Sequence, residues 1–184
     1  MNKKGFTLIE LLIVIGIISI LATAVVLVLN PAQLLAQARD STRISDLGSV
    51  KSAIGLYLAT ATSTDVNFGG SGTACRVSNT LVTPLSGIFS TTCTVTASST
   101  VDGNGWVNVK LSDTTGGSAL GILPKDPTNS ATYFYAYSGD DVNSTFELDT
   151  ALESIKYIGM MANSIDGGNN PTYYEVGTDP GLDL

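Results

Sequence analysis

Few side chains in this sequence are placed where they could do chemistry. Glu10 is the one charge inside an otherwise apolar run from Leu8 to Leu29, Cys75 and Cys93 are the only cysteines, and histidine is absent. Without histidine the commonest general base and metal ligand is missing. The carboxylates of Asp140 and Asp141 fall in a turn-forming stretch, and no glycine-rich phosphate loop follows a strand pattern. An enzyme is therefore not expected, nor is a cofactor. One cysteine pair without histidine or a second pair does not make a zinc site. Asp140, Asp141, Asn143 and Asp166 lack the oxygen spacing of an EF-hand loop, so they read as polar turns and no metal ligand is assigned. Asn143-Ser144-Thr145 is formally a glycosylation triplet, but such triplets arise often by chance and this one reads as a turn.

The element that must position Glu10 is the run around it. As a helix, Leu8 to Leu29 would be roughly 33 Å long, close to the hydrocarbon thickness of a bilayer. Lys3 and Lys4 precede it with no acid, so the positive-inside rule places Met1 to Gly5 in the cytoplasm and the rest of the chain outside. A cleaved secretory signal would have an apolar core of about 7 to 15 residues followed by a small-residue site. This run is longer and ends at Asn30-Pro31, which favours retention. Ionised at mid-bilayer, Glu10 would cost roughly 2.5 to 3.5 kcal/mol. Two explanations stay open: it snorkels to the headgroups, or a positive partner meets it in an assembled state.

Lys3-Lys4-Gly5-Phe6-Thr7-Leu8-Ile9-Glu10-Leu11-Leu12 resembles the class III signal of type IV pilins and of type II secretion pseudopilins. The resemblance implies that a prepilin peptidase cuts between Gly5 and Phe6 and that the new amine of Phe6 is N-methylated. It implies that the retained helix packs with its neighbours as the core of a helical filament, with Glu10 ion-paired to the Phe6 amine of an adjacent subunit. Leu123-Pro124-Lys125-Asp126-Pro127 followed by an aromatic hairpin is similar to the sheet region of pseudopilins and simple pilins. Major pseudopilins bind calcium in loops of the head; that property is not carried over here.

About 155 residues remain outside the membrane, consistent with one globular head. From Ala61 onward there are four basic residues against thirteen acidic ones, more acidic than the −7 of the whole chain. Such a head repels phosphates, so direct nucleic-acid binding is not expected. Both cysteines fall on the oxidising side, which favours a Cys75–Cys93 disulfide over two free thiols, closing a loop worth about 3 kcal/mol.

Ala32 to Thr60 returns to helical periodicity, with Leu47, Val50, Ile54, Tyr57 and Leu58 on one face and Arg39, Asp40, Arg43, Asp46 and Lys51 assigned to the other. Ala61 to Gly105 is rich in Ser, Thr and Gly and reads as a loop region with short strands, Cys93 to Thr96 forming one of them. Trp106 to Leu111, Tyr133 to Tyr137 and Thr145 to Glu153 read as strands of an antiparallel meander, and the tail from Tyr157 as irregular, with Tyr173 and Tyr174 packing on the sheet.

The expected fold is thus α+β: a long N-terminal helix, half transmembrane and half amphipathic, packed against a C-terminal antiparallel sheet. The expected divisions are a cleaved leader over residues 1–5, a transmembrane and polymerisation helix over 6–30, an amphipathic helix over 31–60 and a head over 61–184. The resemblance implies a pilus subunit that partners copies of itself, the prepilin peptidase and the inner-membrane assembly machinery. It would sit as a single pass in the cytoplasmic membrane, N-terminus inside, and then in an extracellular pilus. A pseudopilin, and outside filaments a signal-anchored surface binding module, are the alternatives.

Overall fold

The computed structural model describes residues 5–60, 67–69, 75–80, 89 and 93–184; residues 1–4 of the expected leader and much of the 61–105 connection lie outside the described residues. Helix α1 spans Leu8–Leu29 and helix α2 spans Pro31–Thr60. They are separated by Asn30, which takes the left-handed conformation at φ 41°. Asparagine tolerates that region because its short polar side chain bonds locally, and here the Asn30 carbonyl accepts from the backbone N–H groups of Gln33 and Leu34, starting α2. Pro31 sits at the first position of α2, where its missing N–H costs nothing.

The chain divides into two compact units, one ending at Ala36 and the other Gln37–Leu184. The second holds a five-stranded sheet: β1 (Arg76–Val77), β2 (Thr94–Val95), β3 (Tyr135–Asp140), β4 (Thr145–Thr150) and β5 (Tyr174–Gly177), in the order β2-β1-β3-β4-β5. The β1–β2 pair is parallel and the others are antiparallel. The α+β architecture is as expected, and so is the short strand beside Cys93. The disulfide joins Cys75 to Cys93 with Cα atoms 4.6 Å apart, at the starts of β1 and β2.

The strand membership differs from expectation at two places. Trp106 to Leu111 is not a strand, although Trp106, Val107, Val109 and Leu111 are all buried. A side chain at Gly105 would meet the Thr100 carbonyl oxygen, so the chain enters this segment in a close approach that only glycine allows. The Trp106 indole N–H donates to the Pro124 carbonyl at 2.9 Å and its ring lies 5.6 Å from that of Tyr135. The segment fills the core as a plug rather than pairing. Conversely, the tail supplies β5, with Leu148 opposite Val176 and Asp149 opposite Glu175.

One face of the sheet carries Tyr135, Tyr137, Phe146 and Leu148 into a core shared with Leu47, Val50, Ile54 and Tyr57 of α2. The buried stripe of α2 does not stop at Leu47. It continues back through Arg43 and Asp40, at the same three- and four-residue spacing, and both are fully buried. Their expected place on the solvated side is therefore corrected. Arg43 donates to both oxygens of Asp126 (2.6 and 3.2 Å), to Asp40 (2.8 Å) and to Glu153 (2.7 Å), and stacks 4.6 Å from the Tyr133 ring centroid. Asp40 in turn accepts from the backbone N–H groups of Glu153 and Ser154, and Asp126 from those of Thr128 and Asn129. One guanidinium thereby ties α2 to the turn before β3 and to the chain leaving β4.

Removing one partner of a buried pair costs about 3 to 5 kcal/mol, because the other charges stay behind unmatched. Arg43→Gln should lose about that much, read as a lowered urea midpoint of the detergent-solubilised chain; Lys51→Gln, on the exposed side, should shift it by less than about 0.5 kcal/mol. Hydrogen bonds from Arg39, and then from Arg43, hold the Glu153 carboxyl down at about 2. This stabilisation is complete above the ordinary glutamate value and is lost as pH falls from about 4.5 toward 2. Glu153→Gln should flatten the urea midpoint against pH across that window.

Candidate functional site

Helix α1 is 22 residues long, and Leu8–Val26 has a mean hydropathy of 2.7, long and apolar enough to cross a membrane. Its large side chains, from Leu8 through Leu29, are exposed wherever described. Its polar groups are satisfied internally: Ser19 Oγ donates to the Ile15 carbonyl at 2.7 Å and Thr23 Oγ1 to the Ser19 carbonyl at 2.9 Å. Such back-bonding lets a hydroxyl enter an apolar medium without an orphaned donor. Gly5 and Phe6 precede the helix outside any regular element, and the Phe6 residue is 82% exposed.

Glu10 is fixed by a local interaction that the sequence analysis missed. Thr7 is the N-cap of α1, and its hydroxyl accepts from the Glu10 backbone N–H at 3.3 Å. The Glu10 carboxylate reaches back, its Oε2 accepting from the Thr7 N–H at 2.9 Å and from the Thr7 hydroxyl at 2.7 Å. This is a capping box, whose signature of threonine followed three residues later by glutamate was present in the sequence. The cap occupies Oε2, and among the described residues Oε1 has no partner. Glu10 thus begins the helix and still presents a carboxylate oxygen one turn from Phe6.

The cysteines belong to the unit that holds the sheet. Of the acids considered as loop ligands, Asp140 is used locally, accepting from Val142 N–H at 2.7 Å and Asn143 Nδ2 at 2.7 Å. Asp141 accepts from the Phe68 N–H at 2.5 Å. The carboxylates that do converge are Glu147, Asp149 and Glu175, side by side on β4 and β5 and all buried. Period-two alternation puts Glu147 and Asp149 on one face of β4, but the sequence carried no sign of what would cover them.

The cap itself is testable. Replacing an N-cap threonine by alanine costs about 1 kcal/mol, so Thr7→Ala should speed hydrogen exchange at the Glu10 amide about fivefold in micelles while leaving amides past Ser19 unchanged.

Residues 1–26 match the model of the prokaryotic N-terminal methylation motif. No curated protein and no solved structure matches the chain. The motif marks a substrate of prepilin peptidase that is assembled from the membrane, and it belongs to structural subunits rather than to a class of enzymes. With an exposed apolar helix behind it, the N-terminal segment is the class III signal of type IV pilins and pseudopilins.

Proposed function

We propose that this chain is a structural subunit of a type IV pilus filament, serving adhesion, motility or DNA uptake. The observation that carries the proposal is the methylation motif over residues 1–26 leading into an apolar helix whose described large side chains are exposed. Such a surface needs lipid first and other copies of itself afterwards. In this account residues 1–5 are removed between Gly5 and Phe6, Phe6 is N-methylated, residues 6–30 span the cytoplasmic membrane with the N-terminus inside, and residues 31–60 with 61–184 form the exported head. No catalysis and no direct nucleic-acid contact by the acidic head are part of it.

Glu10 has two partners in this scheme. Thr7 holds Oε2 within the chain, and the Phe6 amine of the neighbouring subunit takes Oε1 in the filament. An ionised carboxylate in lipid is unfavourable, so withdrawal of the helix into a filament where a cation awaits it is favoured.

Processing and assembly are separated by two measurements. Mass analysis of material sheared from cells should give a mature chain beginning at N-methylated Phe6; an assembled chain that keeps Met1 to Gly5 overturns the cleavage. Glu10→Ala should leave insertion and the folded head intact while reducing surface fibres by an order of magnitude or more. Normal fibres from that variant would contradict the ion pair, and short periplasmic assemblies in place of surface fibres would favour a pseudopilin.

A further inference from the structure

The face of the sheet turned away from α2 carries three carboxylates where a core would be expected. Asp149 of β4 lies directly opposite Glu175 of β5, and Glu147 is two residues before Asp149 on the same side of the strand. Their relative exposures are 0%, 0% and 1%. One oxygen from each lies within 4.8 Å of the other two. Like charges facing across a ladder oppose the pairing, and among the described residues no lysine or arginine pairs with any of the three.

Hydrogen bonds do not resolve the problem. The Leu184 N–H donates to Glu147 Oε2 at 3.1 Å and the Asn170 N–H to Glu175 Oε2 at 3.0 Å. Both oxygens of Asp149 and Oε1 of Glu175 are buried with no partner. Ser138, opposite Glu147 in the β3–β4 ladder, adds a buried hydroxyl oxygen that is also unpartnered. Unpartnered buried carboxylate oxygens are strongly unfavourable unless a cation or a proton meets them. Desolvation raises all three carboxyls above their ordinary range, Glu147 to about 8, as it must when no positive charge is nearby.

We propose that Glu147, Asp149 and Glu175 form a site for a hard divalent cation, calcium foremost, on the β4–β5 face of the head. The donor set is all oxygen, which suits calcium or magnesium and not zinc or copper. Calcium accepts six to eight oxygens in irregular geometry, whereas magnesium requires a near-regular octahedron. Three carboxylates mounted on two strands and a covering tail fit the former. The tail is part of the design: a side chain at Gly168 would collide with Glu175, so the Asp166 to Asn170 turn lies directly against the site. Bound calcium would neutralise the cluster and fasten residues 166–184 to the sheet. This site is distinct from the turn acids: Asp140 is engaged within its own turn and Asp141 by the Phe68 N–H.

The test is calorimetric titration of calcium chloride into the detergent-solubilised full chain after chelation, with magnesium chloride as the comparison. One calcium per chain is expected, with a calcium-dependent rise in thermal midpoint and slower amide exchange at Asn170 and Leu184. Asp149→Asn and Glu175→Gln should each weaken binding by about 100-fold, the upper end of what losing even a supporting group costs a metal site, and far-ultraviolet circular dichroism checks their folding. Terbium luminescence excited through the tyrosines, displaced by calcium, locates the ion beside Tyr173 in the unsubstituted chain even where a variant fails to fold. A folded chain that takes up no calcium at millimolar concentration overturns the proposal and leaves the carboxylates holding protons. Binding unchanged in folded Asp149→Asn, or tighter for magnesium, overturns it as well.

Discussion

A guanidinium taken wholly out of water has to be matched on every side, and Arg43 is matched by Asp126, Asp40 and Glu153 together. The head depends on that match. Asp126 organises the turn that delivers the chain into β3, Asp40 holds the backbone that leaves β4, and Arg43 sits on the same helical stripe as the apolar residues that the sheet covers. Replacement of a buried ion cluster by apolar side chains is often energetically neutral, yet here it would remove the directional bonds that fix which turn of α2 meets which strand. The network acts on register more than on net stability.

The N-terminal unit is governed by the opposite constraint. The described large side chains of α1 are exposed, and the one charge of that helix is held at its first turn by Thr7. A helix of this kind is stable in lipid because its backbone and hydroxyl groups are satisfied internally. In the proposed filament, the surface that faced lipid becomes a packed core and the remaining oxygen of Glu10 acquires a cation. The membrane is then a store for the subunit and the fibre its destination.

The parts of the structure that were legible in the sequence are those set by periodicity and by short-range signatures. The apolar length of α1, the stripe Leu47, Val50, Ile54 and Tyr57, the hairpin of β3 and β4 and the cysteine pair all follow from spacing and residue type. Arg43 and Asp40 were misplaced because charge was taken as a sign of solvent exposure, although their spacing put them on the buried stripe. Trp106 to Leu111 alternates like a strand, but the tight approach at Gly105 and the indole bond to Pro124 decide its path. β5 is four residues long and contains a buried glutamate, and its pairing with β4 is a long-range circumstance that no local window contains. The capping box is legible too, as a threonine followed three residues later by a glutamate, once Glu10 is read as a hydrogen-bond acceptor as well as a charge in lipid.

The central claim is that α1 exchanges lipid for copies of itself, with Glu10 of one subunit meeting Phe6 of the next. The most direct measurement is a helical reconstruction by electron cryo-microscopy of fibres sheared from cells making this chain. The account predicts α1 helices bundled at the fibre axis, heads outside, and a Glu10 carboxylate within about 4 Å of a neighbour's Phe6 nitrogen, the separation of an ion pair. Fibres built through the heads with α1 at the periphery, or a Glu10 remote from any Phe6 nitrogen, would contradict it.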